Sequence, residues 1–395
     1  MRFLCLAVAL TLLPSVCERS ASITPELKAD TRPPDAVPRL RDADDVARFI
    51  AGLPGTEGSP FASLEETDAW QEHRSRLDAV WGRAEKGLLN GMREFQKQEL
   101  GRALANTPVF YPFGGPDALT PMLCFPNSPA YVLVGLEPSG SLPSVERIER
   151  KDLSAYLGDM RETMASELGV SFFITRQMDQ QFRGQVTDGL LLPILHLLVR
   201  TNHTILGFRY VRLDEDGQVI ERSVTYKALT RYGNKGIEIE FLNDSDQSAH
   251  KLYYFTVNLS DDRLRENQPF LIYLSRLKGT ATLLKATSYM PHRPQFSIIR
   301  NAILDNSAAI LQDDSGIPFR WFRPDIWSVQ LYGYYDHPIG PFRWMEQPDL
   351  RKAYQEPGPK PLSLRIGYGY SRIPSNLLLA RRASPVAAAQ LRTMP

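Results

Sequence analysis

Apolar and polar positions alternate along this chain with several different periods. Phe3–Leu13 is an apolar run behind Arg2, and Pro14 breaks it. That block is too short to span a bilayer as a mature helix, and a positive residue, an apolar run and then small residues are the grammar of an export signal. Two cleavage sites fit, after Cys17 and after Ser22. Residues 18–41 are polar and proline-rich and read as a flexible linker. A helical period follows. Val46, Phe49, Ile50 and Leu53 form one amphipathic segment behind Asp42 and Asp44. Trp70, Leu77, Trp81, Leu88 and Phe95 then recur at spacings of 7, 4, 7 and 7, which lines one face of a long helix over about 62–103. Gly87 and Gly91 are its points of interruption. Residues 42–105 are therefore expected to form a helical cap.

From residue 107 the pattern changes. Thr107–Tyr111 and Tyr131–Leu136 read as strands around a short helix at Pro116–Phe125. A helix is expected at 151–168, ended by Gly169, with Leu153, Tyr156, Leu157, Met160, Met164 and Leu168 on one face. Leu190–Val199 is apolar all round, so period does not decide between helix and strand. Leu206–Leu213 and Val219–Tyr226 flank Asp214-Glu215-Asp216-Gly217, a hairpin signal. Strands are expected at Gly236–Leu242, Leu252–Leu259, Ala281–Ala286 and Ala308–Gln312, with helices at Pro269–Leu277 and Gln295–Leu304. A last strand is expected near Ser363–Tyr370, and a disordered tail over 381–395. The fold class is α/β: a mixed sheet with parallel strand–helix–strand units, residues 106–380, behind a helical N-terminal cap.

Two of those units share an order of parts. Thr107–Pro143 runs strand, helix, Asn127-Ser128, strand, Glu137, Ser139-Gly140. Ala281–Pro318 runs strand, helix, Asn306-Ser307, strand, Asp313-Asp314, Ser315-Gly316. Right-handed crossovers would bring both exit loops to one edge of the sheet, where open α/β sheets hold their ligands. That edge would collect Asp117, Glu137, Ser288, Tyr289, His292, Asp313 and Asp314. Asp117 and Glu137 read as an acid pair for glycan hydrolysis, or as a helix cap and a strand end. His292, between prolines, reads as a base or a surface group. Asp313-Asp314-Ser315-Gly316 reads as an acid–base or cation site, or as a turn. Adjacent aspartates in a regular strand face opposite ways, so both reach one site only if the loop bends.

Composition narrows the functions. Across 395 residues, 46 Lys and Arg against 45 Asp and Glu leave a net charge of +1. No polyanion-binding excess exists, so nucleic acid is not an expected partner. The 43% hydrophobic content supplies a substantial core, and 30 prolines predict many loops. No later apolar run approaches the length of a membrane span. Of three cysteines, Cys5 and Cys17 lie in the leader, which excludes a disulfide framework after cleavage and leaves Cys124 as a buried small hydrophobe. Cys17 also admits acylation, against a poor lipobox with Val16. Zinc-protease, nucleophile-elbow and phosphate-loop motifs do not occur, so no cofactor is identified; a divalent cation at the aspartates stays open. Nine aromatics crowd 319–344, as core or as sugar-stacking rings.

The runs Phe110-Tyr-Pro-Phe-Gly-Gly-Pro-Asp117, Gly135-Leu-Glu-Pro138, Asp305-Asn-Ser307 and Gln312-Asp-Asp-Ser-Gly-Ile-Pro318 resemble those of a group of uncharacterised exported bacterial proteins, from about residue 45 onward. The resemblance implies a bacterial, exported protein, and it assigns no activity or catalytic residue. The expected function is that of a periplasmic or extracellular binding protein with an unknown ligand, such as a glycan or envelope component. The alternatives are an extracytoplasmic glycan or ester hydrolase using the carboxylates and His292, and a purely structural protein.

Overall fold

The computed structural model describes residues 42–101, 104–143, 148, 153–170, 190–222, 235–244, 247–369 and 375–383. The expected signal segment and linker lie outside the described residues, as do the end of the expected second hairpin strand and the expected tail beyond Ala383. Ten strands form one sheet: β1 Val109–Tyr111, β2 Ala130–Gly135, β3 His203–Leu213, β4 Val219–Glu221, β5 Lys235–Asn243, β6 Ala249–Thr256, β7 Thr280–Leu284, β8 Ser307–Gln312, β9 Trp327–Gly333 and β10 Asn376–Arg382. Their order is β4-β3-β5-β6-β2-β1-β7-β8-β10-β9. The central five, β6-β2-β1-β7-β8, are parallel. Antiparallel wings extend it on both sides. This is an α/β protein with a mixed sheet.

Both strand–helix–strand units are present, side by side. β1 crosses to β2 through the helix Leu119–Cys124, and β7 crosses to β8 through the helix Ser297–Asn306. The two crossovers leave adjacent strands in opposite directions. With one hand of crossover they must cover opposite faces of the sheet. The packing agrees. Leu119, Met122 and Leu123 belong to the core on one face, Ile299 and Ile303 to the core on the other. The strands between read as continuous apolar runs because alternate residues serve different cores: Tyr131 and Leu133 face one, Val132 and Val134 the other.

The N-terminal helices share the first core. Asp42–Ile50 buries Val46, Phe49 and Ile50 there, and the helical run Asp68–Leu100 adds Trp70, Leu77, Leu88 and Phe95, with Trp81 at its margin. Two π-helical turns, Glu85–Leu89 and Gln96–Leu100, interrupt the run, the first containing Gly87. Asp44 accepts the N–H of Ile205 on β3 at 2.8 Å, which ties the first helix to the sheet. Leu191–Arg200 is a helix with nine consecutive buried residues, which is why it shows no polar stripe. The helix Leu153–Val170 runs past Gly169. In β3 a bulge between Ile205 and Gly207 flips the side-chain parity, so Phe208 and Tyr210 join the first core and Val211 and Leu213 the second.

Three expectations are corrected. Residues 363–369 form no strand; Gly367–Gly369 is a single 3-10 turn. The final strand is β10, which includes Arg381 and Arg382, two residues assigned to a disordered tail. β9 emerges from the aromatic, proline-rich window. Among the described residues no helix is long and apolar enough to cross a membrane.

Candidate functional site

The carboxyl ends of β1 and β7 lie where the two crossovers diverge, which is where open α/β sheets form their crevice. Lys285 follows β7 directly and Asp117 follows β1. Their side chains meet at 2.6 Å with 4% and 1% of their surface exposed. Two further groups hold the carboxylate. The Tyr111 hydroxyl donates to it at 2.9 Å, and Thr120 donates its N–H at 3.0 Å and its hydroxyl at 2.7 Å. The Lys285 ammonium also donates to the Thr120 hydroxyl at 2.7 Å. Asp117 thus supports the first turn of the Leu119–Cys124 helix while pairing with a cation from the other unit.

After Lys285 the backbone turns through the left-handed region. Ala286, Ser288 and Tyr289 have φ of 51°, 53° and 54°. Non-glycine residues avoid this region, at a cost of about 1–3 kcal/mol each, unless the surroundings fix them. Here they do. Asp313 accepts the Ala286 N–H at 2.9 Å, and Thr287 donates its N–H to the Ser315 hydroxyl at 2.9 Å. The Tyr368 hydroxyl accepts the Ser288 N–H at 3.2 Å and donates to the Ala286 carbonyl at 3.1 Å. Tyr289 donates its hydroxyl to Asp314. The β8 exit loop bends, so both aspartates reach this one turn. Asp313 also accepts the N–H and hydroxyl of Ser315, at 3.0 and 2.5 Å. Asp314 accepts the Asn376 amide at 2.9 Å.

Burial raises the pKa of both aspartates, and the charge of Asp313 adds to the rise at Asp314, which is pushed up to about 7. The Tyr289 hydroxyl is pushed far above its ordinary value by burial and by Asp314. His292 packs edge-on against the Tyr289 ring at 5.1 Å. Burial holds its imidazole down at about 4, so the ring is neutral, and its Nε2 has no hydrogen-bond partner.

Gly367 closes the network from the far side. A Cβ there would stand 2.2 Å from the Asp313 carboxylate, and its φ is +59°. Gly367→Ala is expected to cost about 1–3 kcal/mol in urea denaturation. An unchanged midpoint would mean that the Gly367–Asp313 approach is loose.

Tyr289, His292, Asp313 and Asp314 therefore meet in one network, and Asp117 lies against it through Lys285. Glu137 stays apart. It follows β2, across β1 from Lys285, and its backbone carbonyl, at 2.8 Å from the Tyr254 hydroxyl and 3.0 Å from that of Thr256, is what binds. Of the two readings of Asp117 and Glu137, the acid pair does not form; Asp117 accepts the Thr120 N–H at the start of the helix and pairs with Lys285. Lys285, Tyr368 and Asn376 had no motif to reveal them. Among the described residues no group of three or more His, Cys, Asp or Glu side chains is placed to hold a metal.

A cleft of about 260 Å³ lies at the opposite, amino-terminal edge of the parallel strands, lined by Lys97, Leu100, Cys124, Phe125 and Asn127 among others. It brings no carboxylate or histidine to its wall. The Cys124 thiol is buried and pushed up to about 12, which makes it a packed hydrophobe rather than a nucleophile.

No family model, curated protein or solved structure matches the chain.

Proposed function

We propose that this is an exported binding protein of the bacterial envelope or exterior, with its recognition surface at the carboxyl edge of β7 and β8. The observation that carries this reading is the burial of the reactive groups. Asp117, Lys285, Asp313 and Tyr289 expose between 0% and 5% of their surface, and their polar atoms are spent on one another. A catalyst must touch its substrate within hydrogen-bond reach; these groups brace a strained turn instead. That turn carries His292 and Arg293 toward an outer layer that includes exposed Trp321 and Trp344. Export rests on the leader grammar of residues 1–17 and on the motif resemblance.

The hydrolase reading keeps one specific support. A carboxyl group held near 7 beside a second carboxylate has the protonation of a general acid. The test incubates the purified protein with a panel of neutral and acidic polysaccharides and simple esters. Retention of at least one polysaccharide with no released product is the expected result. Product release that Asp314→Asn abolishes would replace binding with hydrolysis.

A further inference from the structure

Charge inside this protein is generally matched. Glu238 lies between Arg209 and Lys251, and Glu99 pairs with Lys360. One patch breaks the pattern. Arg293 and Arg300 sit beside His292 on the segment that follows the strained turn, and Arg320 belongs to the neighbouring 3-10 turn Phe319–Trp321. Among the described residues no carboxylate lies within ion-pair distance of any of the three; the charge of Asp261 reaches Arg300 from farther off. Arg300 is 7% exposed. Its Nη1 donates to the carbonyls of Pro291 at 2.9 Å and Arg293 at 3.4 Å, while its Nε has no partner. Arg293 Nε and His292 Nε2 are likewise buried and unpartnered. Arg300 reaches the carbonyls on both sides of His292 and stacks on Trp321, the chain neighbour of Arg320, which sets the four groups close together.

Like charges gathered with open donors are costly unless an anion completes them. The aromatic neighbours say what kind. The Arg300 guanidinium lies over the Trp321 ring at 4.6 Å and that of Arg293 over Trp344 at 5.7 Å. Stacking orders a guanidinium while leaving its edge free to donate to an oxyanion. Trp321 and Trp344 remain 39% and 68% exposed, so each ring keeps apolar area for a ligand. Planar oxyanion recognition beside open indole surface fits a sugar ring that bears an acid group.

We propose that Arg293, Arg300 and Arg320, with His292, Trp321 and Trp344, form a binding site for an acidic sugar, the oxyanion meeting the guanidinium edges and the ring lying on tryptophan. This rests on the binding-protein reading and names its ligand class. The site needs no catalytic step, and the buried network beneath it fixes the turn that carries Arg293.

The experiment titrates the purified full chain with tetragalacturonate, inorganic phosphate and neutral maltotetraose, by calorimetry and tryptophan fluorescence. Two exposed variants are compared, Arg320→Gln and Trp344→Ala; neither side chain is part of the core. Expected is tetragalacturonate binding with tryptophan quenching, weakened about tenfold or more by either variant, and no binding of maltotetraose. Phosphate bound as tightly as tetragalacturonate, with Trp344→Ala silent, would show a bare anion site and overturn the sugar. Maltotetraose bound as tightly as the uronate would overturn the acidic class and leave the binding-protein reading standing. Binding that survives both substitutions would overturn the location. No binding of any probe would overturn this inference, while the wider polysaccharide panel decides the binding-protein reading separately.

Discussion

Lys285→Met is expected to lower the unfolding free energy by about 3–5 kcal/mol. Met keeps the length of the aliphatic stem, so the loss comes from charge rather than from a cavity. Asp117 stays behind, 1% exposed, with three neutral donors from Tyr111 and Thr120 and no cation. Breaking a buried pair from one side costs far more than the pair contributes, because one charge is stranded. Asp117→Leu should cost a similar amount for the mirror reason. The Lys285→Met/Asp117→Leu double variant should recover much of the loss, since it strands nothing. Urea denaturation followed by tryptophan fluorescence measures all four corners of this cycle. A Lys285→Met loss under about 1 kcal/mol, or two single losses that simply add, would mean that the ion pair contributes little to joining the two units.

That pair also shows what the sequence can and cannot reveal. The strand–helix–strand units were legible because each places apolar runs on both sides of a short helical segment, with glycine- and proline-marked loops between them. β9 was not, although Trp327-Ser-Val-Gln-Leu alternates, because the surrounding aromatics and prolines hide a period of two. β10 is not evident as a strand when judged alone, and its last two residues read as tail. Leu377-Leu378-Leu379-Ala380 makes sense only once β8 and β9 flank it and both its faces are buried. The candidate site was half legible. Asp313, Asp314, Tyr289 and His292 were found because unusual residues cluster in proline- and glycine-marked loops. Lys285 was hidden at a strand end, where a lysine ordinarily reaches water. Its role depends on Asp117, 168 positions earlier in the chain, and only the sheet order β1-β7 brings the two together.

Asp313 and Asp314 are neighbours with opposite expected responses to the same substitution. Asp313 accepts from N–H groups at both oxygens. An asparagine there must turn its NH2 toward an N–H, so Asp313→Asn should cost about 1–3 kcal/mol at pH 5. Asp314 accepts the Asn376 amide at one oxygen and the Tyr289 hydroxyl at the other. An asparagine there keeps the first bond and offers its NH2 to the Tyr289 oxygen, which can accept. It also removes an ionisation that the folded state resists. Free aspartate ionises near 3.9, while burial and Asp313 push Asp314 up to about 7. Between those values the folded protein holds a proton that the unfolded chain has lost. The contribution of Asp314 is therefore full below about 4 and declines as pH rises to about 7. His73 and His292 act in the opposite sense. Burial holds both down at about 4, so stability gains from them as pH climbs toward 6.5, the ordinary imidazole value. The difference between wild type and Asp314→Asn cancels the histidines. Measured by urea denaturation at pH 5 and pH 8, Asp314→Asn should gain on wild type by about 1 kcal/mol or more at the higher pH. A difference that is flat in pH would mean that Asp314 is ionised throughout, and the shared proton on which the hydrolase reading leans would be lost with it.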